Sequence, residues 1–199
     1  MGSQIVIDNF LDDFYSFRSY CDKLSYEGVK NPADGVFYEG VSLDIPDTVK
    51  GEVEAKLSTH KAVTINAMFL RLSSSDTNAP HQSHTDSVMG SKSLMLYMNR
   101  LEDCEGGTSL VMHKKTGLNC QPVNDKQLKV WADDMNKPDA WQIQDMCSMI
   151  PNRAFIFDAD LMHRAEPVGG FGDNAKNARL VLTAFYDQRL RAKRYSRFS

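Results

Sequence analysis

The chain changes character near residue 61, and that change constrains its fold more than any other feature. Upstream, apolar residues recur at helical spacing: Phe14, Phe17, Cys21 and Leu24 share one face, with Asp12 and Asp13 suited to the start of a helix. Residues 31–46 are turn-rich, and residues 48–58 predict a second short helix. Downstream, short runs rich in β-branched and aromatic side chains predict strands over residues 62–71, 93–98, 107–112, 154–157 and 180–186. One further β-branched run, Ile5-Val6-Ile7, lies at the start and is broken by Asp8-Asn9. Helices first and short strands afterwards predict an α+β chain that is mainly β and dominated by an antiparallel sheet.

A double-stranded β-helix, the cupin-like jelly roll, fits this order, with the N-terminal helices packed on its major sheet. The expected division is a single domain over 1–199: residues 1–60 as helical support, 61–188 as the jelly-roll core, and 189–199 as a basic tail. Residues 114–142 form a polar excursion between two strands and contain both tryptophans, Trp131 and Trp141. It is expected to carry a helix or to act as a flap.

Composition narrows the class. At 199 residues the chain is long enough to bury a core without disulfides. A net charge of −3 argues against nucleic acid as the main partner. No apolar run approaches the roughly 20 residues that span a bilayer, and the first residues lack the basic start and apolar stretch of a signal peptide. The four cysteines, Cys21, Cys104, Cys120 and Cys147, are scattered with no C-x-x-C pair, which suits reduced thiols and a cytoplasmic location. The run Arg189, Arg191, Lys193, Arg194 and Arg197, interleaved with Tyr195 and Phe198, is read as a solvated tail rather than a nucleic-acid surface.

Of the five histidines, two carry chemistry. His84-Thr85-Asp86 puts an imidazole and a carboxylate two residues apart, on one face of an extended segment. The tripeptide alone would equally suit a loop histidine beside a helix-capping aspartate. His163 follows the run 154–157 after a short loop. Two histidines and one carboxylate occupy one face of an octahedron and leave three positions open, the ligand set of non-haem iron(II) oxygenases. His81 is read as a loop residue, and His60 and His113 as surface residues. Arg164 is expected at a cavity mouth or on the solvated surface.

Arg179, Val181 and Thr183 share one face of the last strand. Arg179 then points inward from an apolar strand, and a buried guanidinium needs an anion. An ion pair with an Asp or Glu would meet that need, and so would the carboxylate of a dicarboxylic acid gripped in a bidentate fork with Thr183 beside it.

These residues together resemble the prolyl 4-hydroxylase-like branch of the Fe(II)/2-oxoglutarate-dependent dioxygenases. The resemblance is carried by Ile7-Asp8-Asn9-Phe10-Leu11, His84-Thr85-Asp86, Leu96-Tyr97-Met98-Asn99, Gly106-Gly107-Thr108, His163 with Pro167, and Arg179 with Thr183. It runs in order through nearly the whole chain. It implies His84, Asp86 and His163 as ligands of Fe(II). It also implies Arg179, Thr183 and the hydroxyl of Tyr97 around the C5 carboxylate of 2-oxoglutarate, with ascorbate as a further requirement in some members. Three departures stand out. Arg179 follows His163 by sixteen residues, more than the family's usual spacing, because of a glycine-rich loop over 169–177. The excursion 114–142 is long, and the strand before His84 has no tyrosine for the cosubstrate.

The implied activity is hydroxylation of a prolyl or other side chain of a protein or peptide, using O2 and releasing succinate and CO2. The presence of Asp86 favours hydroxylation, since relatives that halogenate lack the carboxylate. Two alternatives belong to other classes: a hydroxylase of a free amino acid, small metabolite or nucleobase, and a non-catalytic metal-binding domain. An open groove would suit a peptide, and a closed pocket beneath residues 114–142 a metabolite.

Overall fold

The structure is a computed structural model that describes residues 3–31, 35–59 and 61–189. His60 and the basic run beyond Arg189 lie outside the described residues.

The chain begins with strand β1 (Gln4–Ile7) and helix α1 (Phe14–Cys21), followed by three two-residue strands, β2 (Val29–Lys30), β3 (Phe37–Tyr38) and β4 (Val41–Ser42). Helix α2 (Asp47–Leu57) leads into the long β5 (Ala62–Ser73), then β6 (Lys92–Tyr97) and β7 (Gly107–His113). Helix α3 (Asp125–Asp134) precedes β8 (Trp141–Ser148), β9 (Ala154–Asp158), β10 (His163–Glu166) and β11 (Arg179–Arg189). Six strands form one sheet in the order β1-β9-β6-β11-β5-β4, and three form a second in the order β10-β7-β8. Every neighbouring pair is antiparallel.

The helices form where the sequence predicts them. Asp13 caps α1, its carboxylate accepting from the Ser16 amide. Phe14, Phe17 and Cys21 then fall on one buried face. Val53 and Leu57 play the same part on α2. These side chains cluster with Leu70, Leu94, Leu96, Leu180, Leu182 and Ala184, which share one face of the six-stranded sheet. The other face meets the three-stranded sheet through Tyr97, Phe155, Phe157 and Val181 against Cys147 and Met149. Residues 3–59 are thus more than helical support, because β1 and β4 form the two edges of the large sheet.

Gly107 permits the close approach of β7 to β8. Its φ is +151°, and a Cβ there would lie 2.0 Å from the Cys147 carbonyl oxygen. Besides the two-residue β2, β3 and β4, two longer strands are invisible to apolar periodicity. Strand β8 is an edge strand whose residues 142–146 are exposed, and β10 is the short polar run His-Arg-Ala-Glu. His163, expected after a loop, therefore sits at the start of a strand.

Two further residues differ from expectation. His113 is fully buried rather than on the surface: its ring lies 4.9 Å from that of Trp141, and Thr116 and Asp134 partner its two nitrogens. Arg164 is buried too, paired with Glu166 at 2.6 Å and donating to the Pro138 carbonyl. A guanidinium satisfied in this way has no need of a cavity or of solvent. Among the described residues no helix is long and apolar enough to cross a membrane.

Candidate active site

Register places the site. Antiparallel partners point to the same face, so Arg179, Val181, Thr183 and Phe185 on β11 share a face with Ser73, Arg71, Phe69 and Ala67 on β5. On the other flank Tyr97, Met95 and Ser93 of β6 oppose Val181, Thr183 and Phe185. This face is the floor of a cavity of about 600 Å³, within the range that ligand sites take. Its far wall includes His84, Asp86 and His163.

Backbone pairing brings these three residues together. His84 and His163 form an isolated antiparallel bridge, each amide donating to the other's carbonyl at 3.0 Å. The Asp86 amide donates to the Ala159 carbonyl at 2.8 Å, which turns its carboxylate back between the imidazoles. His84 Nε2 lies 3.6 Å from Asp86 Oδ1, and His163 Nε2 lies 3.2 Å from Asp86 Oδ2. Among the described residues this is the cluster of metal-ligating type, its donor atoms all within 4.8 Å of one another.

The hydrogen bonds fix which atoms face inward. His163 Nδ1 lies 3.0 Å from the Leu161 carbonyl oxygen, and His84 Nδ1 lies 3.4 Å from that of Gln82. A carbonyl only accepts, so Nδ1 carries the proton and each Nε2 presents a lone pair. The buried His163 Nε2 has no hydrogen-bond partner. A lone pair facing a carboxylate oxygen at 3.2 Å calls for a cation between them, either a proton or a metal ion.

The titration behaviour agrees. Burial, with the charge of His163 nearby, pushes His84 down to about 4, so it is neutral and ready to ligate at neutral pH. Burial also opposes charge on His163 and Asp86, but each overrides it for the other. Asp86 holds His163 above its ordinary value, and His163, with His84 and the Ser93 hydroxyl, holds Asp86 below the usual carboxylate range. Ser93 Oγ donates to Asp86 Oδ2 at 3.0 Å, an outer partner of the kind that orients ligating carboxylates.

At the other end of the floor, Arg179 is buried and forms no ion pair among the described residues. Its Nη2 donates to the Gly107 carbonyl at 3.2 Å and the Thr108 hydroxyl at 3.3 Å, while Nε has no partner. Burial presses against its charge. Thr183 lines the cavity beside it, with only the Met95 sulfur as hydrogen-bond partner. Tyr97 is placed differently. It is fully buried beneath the floor, its hydroxyl donates to the Cys147 carbonyl at 2.9 Å, and burial pushes its titration well above the phenol range.

The excursion 114–142 is a wall rather than a loose flap. Helix α3 starts on the Asn124 cap, and Trp131 and Met135 face the cavity. Trp131 Nε1 donates to the Met162 sulfur at 3.0 Å, next to His163, and the Met135 carbonyl accepts from the Ser83 amide at 3.0 Å, next to His84. His81 is the loop residue expected, but it also lines the cavity, 3.2 Å from the Met135 sulfur and edge-on to Tyr38. Sequence reasoning missed Arg71, Ser93, Trp131 and Tyr38. For Arg71 a signal existed: Ala67, Phe69 and Arg71 alternate on one face of β5, the same pattern that singled out Arg179 on β11.

No protein-family model and no curated protein matches the sequence. Solved structures share the fold at low identity. EctD from S. alaskensis with bound Fe is 14% identical with a TM-score of 0.53, covering 93% of this chain and 72% of that one. The epimerase SnoN in complex with Fe3+, alpha ketoglutarate and nogalamycin RO is 12% identical with a TM-score of 0.54, covering 93% and 78%. AviO1 from Streptomyces viridochromogenes Tue57 is 16% identical with a TM-score of 0.52, covering 92% and 90%. EctD has also been solved with 2-oxoglutarate and 5-hydroxyectoine.

Proposed function

We propose that the chain is an Fe(II)- and 2-oxoglutarate-dependent dioxygenase, a hydroxylase of a small molecule, built as one double-stranded β-helix domain. The observation that carries the reading is the unpartnered Nε2 of His163 facing the Asp86 carboxylate, with a neutral His84 completing a two-histidine, one-carboxylate set. Mixed nitrogen and oxygen donors on one side of a cavity suit Fe(II) and leave coordination positions open toward the floor. The neighbours crystallised with Fe and 2-oxoglutarate support the same assignment.

Once bound, iron with 2-oxoglutarate supplies the oxidising chemistry, and the chain's own residues supply binding, orientation and exclusion of water. His84, Asp86 and His163 would hold the metal, their Nδ1–H groups anchored on the Gln82 and Leu161 carbonyls and the carboxylate steadied by Ser93. Arg179 would take the distal carboxylate of 2-oxoglutarate through its free Nε edge, beside the Thr183 hydroxyl. Tyr97 would act from beneath, buttressing the strand end against Cys147. Trp131 and Met135 line one wall of the cavity and would narrow the access of water to it.

The resemblance in sequence favours a protein substrate, whereas the cavity favours a small one. The cavity is partly open, but its volume of about 600 Å³ is of the size that small ligands fill, and the neighbours solved with nogalamycin RO and 5-hydroxyectoine hold small molecules. The test is substrate-free turnover: purified protein with Fe(II) and 2-oxoglutarate in air, with succinate quantified. Succinate from the wild type, lost in His84→Ala and reduced in Arg179→Ala, is expected. Failure of the wild type to bind either iron or 2-oxoglutarate would overturn the reading.

A further inference from the structure

We propose that Arg71 is a second anion handle, gripping a carboxylate on an otherwise apolar small-molecule substrate while Arg179 is occupied by the cosubstrate. This deepens the reading above and rests on it for the role of Arg179.

The argument begins with unmet charge. Arg71 lines the cavity yet forms neither an ion pair nor a hydrogen bond among the described residues. Its close partner is the Tyr38 ring, 5.2 Å from guanidinium carbon to centroid. A guanidinium stacked on an aromatic face keeps its donor edge free. Burial disfavours its charge, and Tyr38 and Glu39 favour it only at a distance. Arg179 opposes that charge as well, since Arg71 counts among the groups that depress it. Two cations therefore share one cavity whose carboxylate, Asp86, is engaged by the histidines. An apolar cavity holding uncompensated positive charge is built for anions.

The two arginines are diagonal neighbours across β5 and β11, but they lean to opposite sides of β11. Arg179 turns toward Gly107 and Thr108 of β7, to which its Nη2 donates. Arg71 stands on the opposite flank of β11: it opposes Val181 on one side and Val41 on the other. Around it the lining is Val29, Val41, Leu43 and Phe69 with the Tyr38 ring. On that side of β11 Arg71 is the cation, amid mainly apolar walls with Asn31 and His81 as further polar lining. A matching ligand has an apolar body and a single carboxylate, with the body directed from Arg71 toward the metal centre.

The test uses Mn(II)-loaded protein with saturating 2-oxoglutarate, titrated with acid and amide pairs: 4-phenylbutyrate against 4-phenylbutanamide, and octanoate against octanamide. Binding is read by calorimetry and by the fluorescence of Trp131 in a Trp141→Phe background. Loss of one bidentate charged contact is worth about tenfold or more. The wild type is expected to prefer at least one acid over its amide by about that factor. Arg71→Leu removes the preference while 2-oxoglutarate affinity stays within about threefold, Arg71→Lys retains part of it, and Arg179→Leu weakens 2-oxoglutarate without abolishing it. Arg71→Leu also melts at or above wild type, because it deletes an unpaired, largely buried charge.

Three results would overturn the proposal. They are no acid preference in any pair, an acid preference that survives Arg71→Leu, or a loss of 2-oxoglutarate affinity in Arg71→Leu as large as that in Arg179→Leu. A wild type that fails to bind 2-oxoglutarate yet shows an Arg71-dependent acid preference would sink the cofactor reading and leave the handle standing.

Discussion

The two faces of the central strand β11 show what stability asks of a sequence and what function asks. Leu180, Leu182 and Ala184 face the helices and disappear into apolar packing. One residue out of phase, Arg179, Val181 and Thr183 face the cavity, where polar groups stand with their hydrogen-bonding capacity unused. The arginines make the contrast sharpest. Arg18, on the helix side, is as buried as any described residue and its Nε also has no partner, but Asp22 pairs with its guanidinium and the Lys176 carbonyl accepts from it at 3.1 Å. Arg179 and Arg71, on the cavity side, form no ion pair among the described residues. A buried charge with a partner belongs to the fold, and one without a partner points to a ligand.

Several substitutions would break or sharpen that contrast. One of the two largest expected losses of stability comes from Asp22→Ala, which strands Arg18. Removing one partner of a buried pair costs about 3–5 kcal/mol, and the low end applies because Asp22 keeps 19% of its side-chain surface and also serves Arg100. Chemical denaturation measures it. Leu182→Ala on the same side should cost about 2–5 kcal/mol through lost burial and a residual cavity, whereas Thr183→Ala, its neighbour facing the cavity, should change the unfolding midpoint little.

Arg179→Leu inverts the pattern. Stability should hold or rise, while 2-oxoglutarate affinity falls by about tenfold to a hundredfold, read by calorimetry on Mn(II)-loaded protein. A large drop in stability would instead mark Arg179 as structural. The smallest effect is on the acid side of the stability curve. Burial alone would raise Asp22, but the Arg100 and Arg18 guanidinium groups hold it below its ordinary value near 3.8. Its contribution is therefore present above about pH 4 and is lost as pH falls through the lower folded-state value, so Asp22→Asn should flatten that limb of the curve.

This contrast also explains what was legible in the sequence. Strands β5, β6, β7, β9 and β11 bury at least one face, and their apolar content announces them. Strand β8 lies at a sheet edge with five consecutive exposed residues, and β10 carries His163 of the candidate site amid polar neighbours, so neither has a pattern to read. His84, Asp86, His163 and Arg179 stood out because each is an expensive residue in a costly place. Arg71 obeys the same rule but closes its apolar run, where a charged residue looks like an ordinary strand end. Tyr97 shows the limit of resemblance: its place in the strand was readable, but a bond to the Cys147 carbonyl across to β8 was not, because β8 itself was invisible.

The central claim is that the cavity separates metal binding from cosubstrate binding between its two ends. It is tested most directly by anaerobic calorimetry of Fe(II), and then of 2-oxoglutarate, on wild type, Asp86→Ala and Arg179→Leu. The account predicts that Asp86→Ala loses iron, by more than the ~10–100-fold that loss of an outer partner costs, and that Arg179→Leu keeps iron affinity and weakens 2-oxoglutarate alone. Iron affinity unchanged in Asp86→Ala would contradict it.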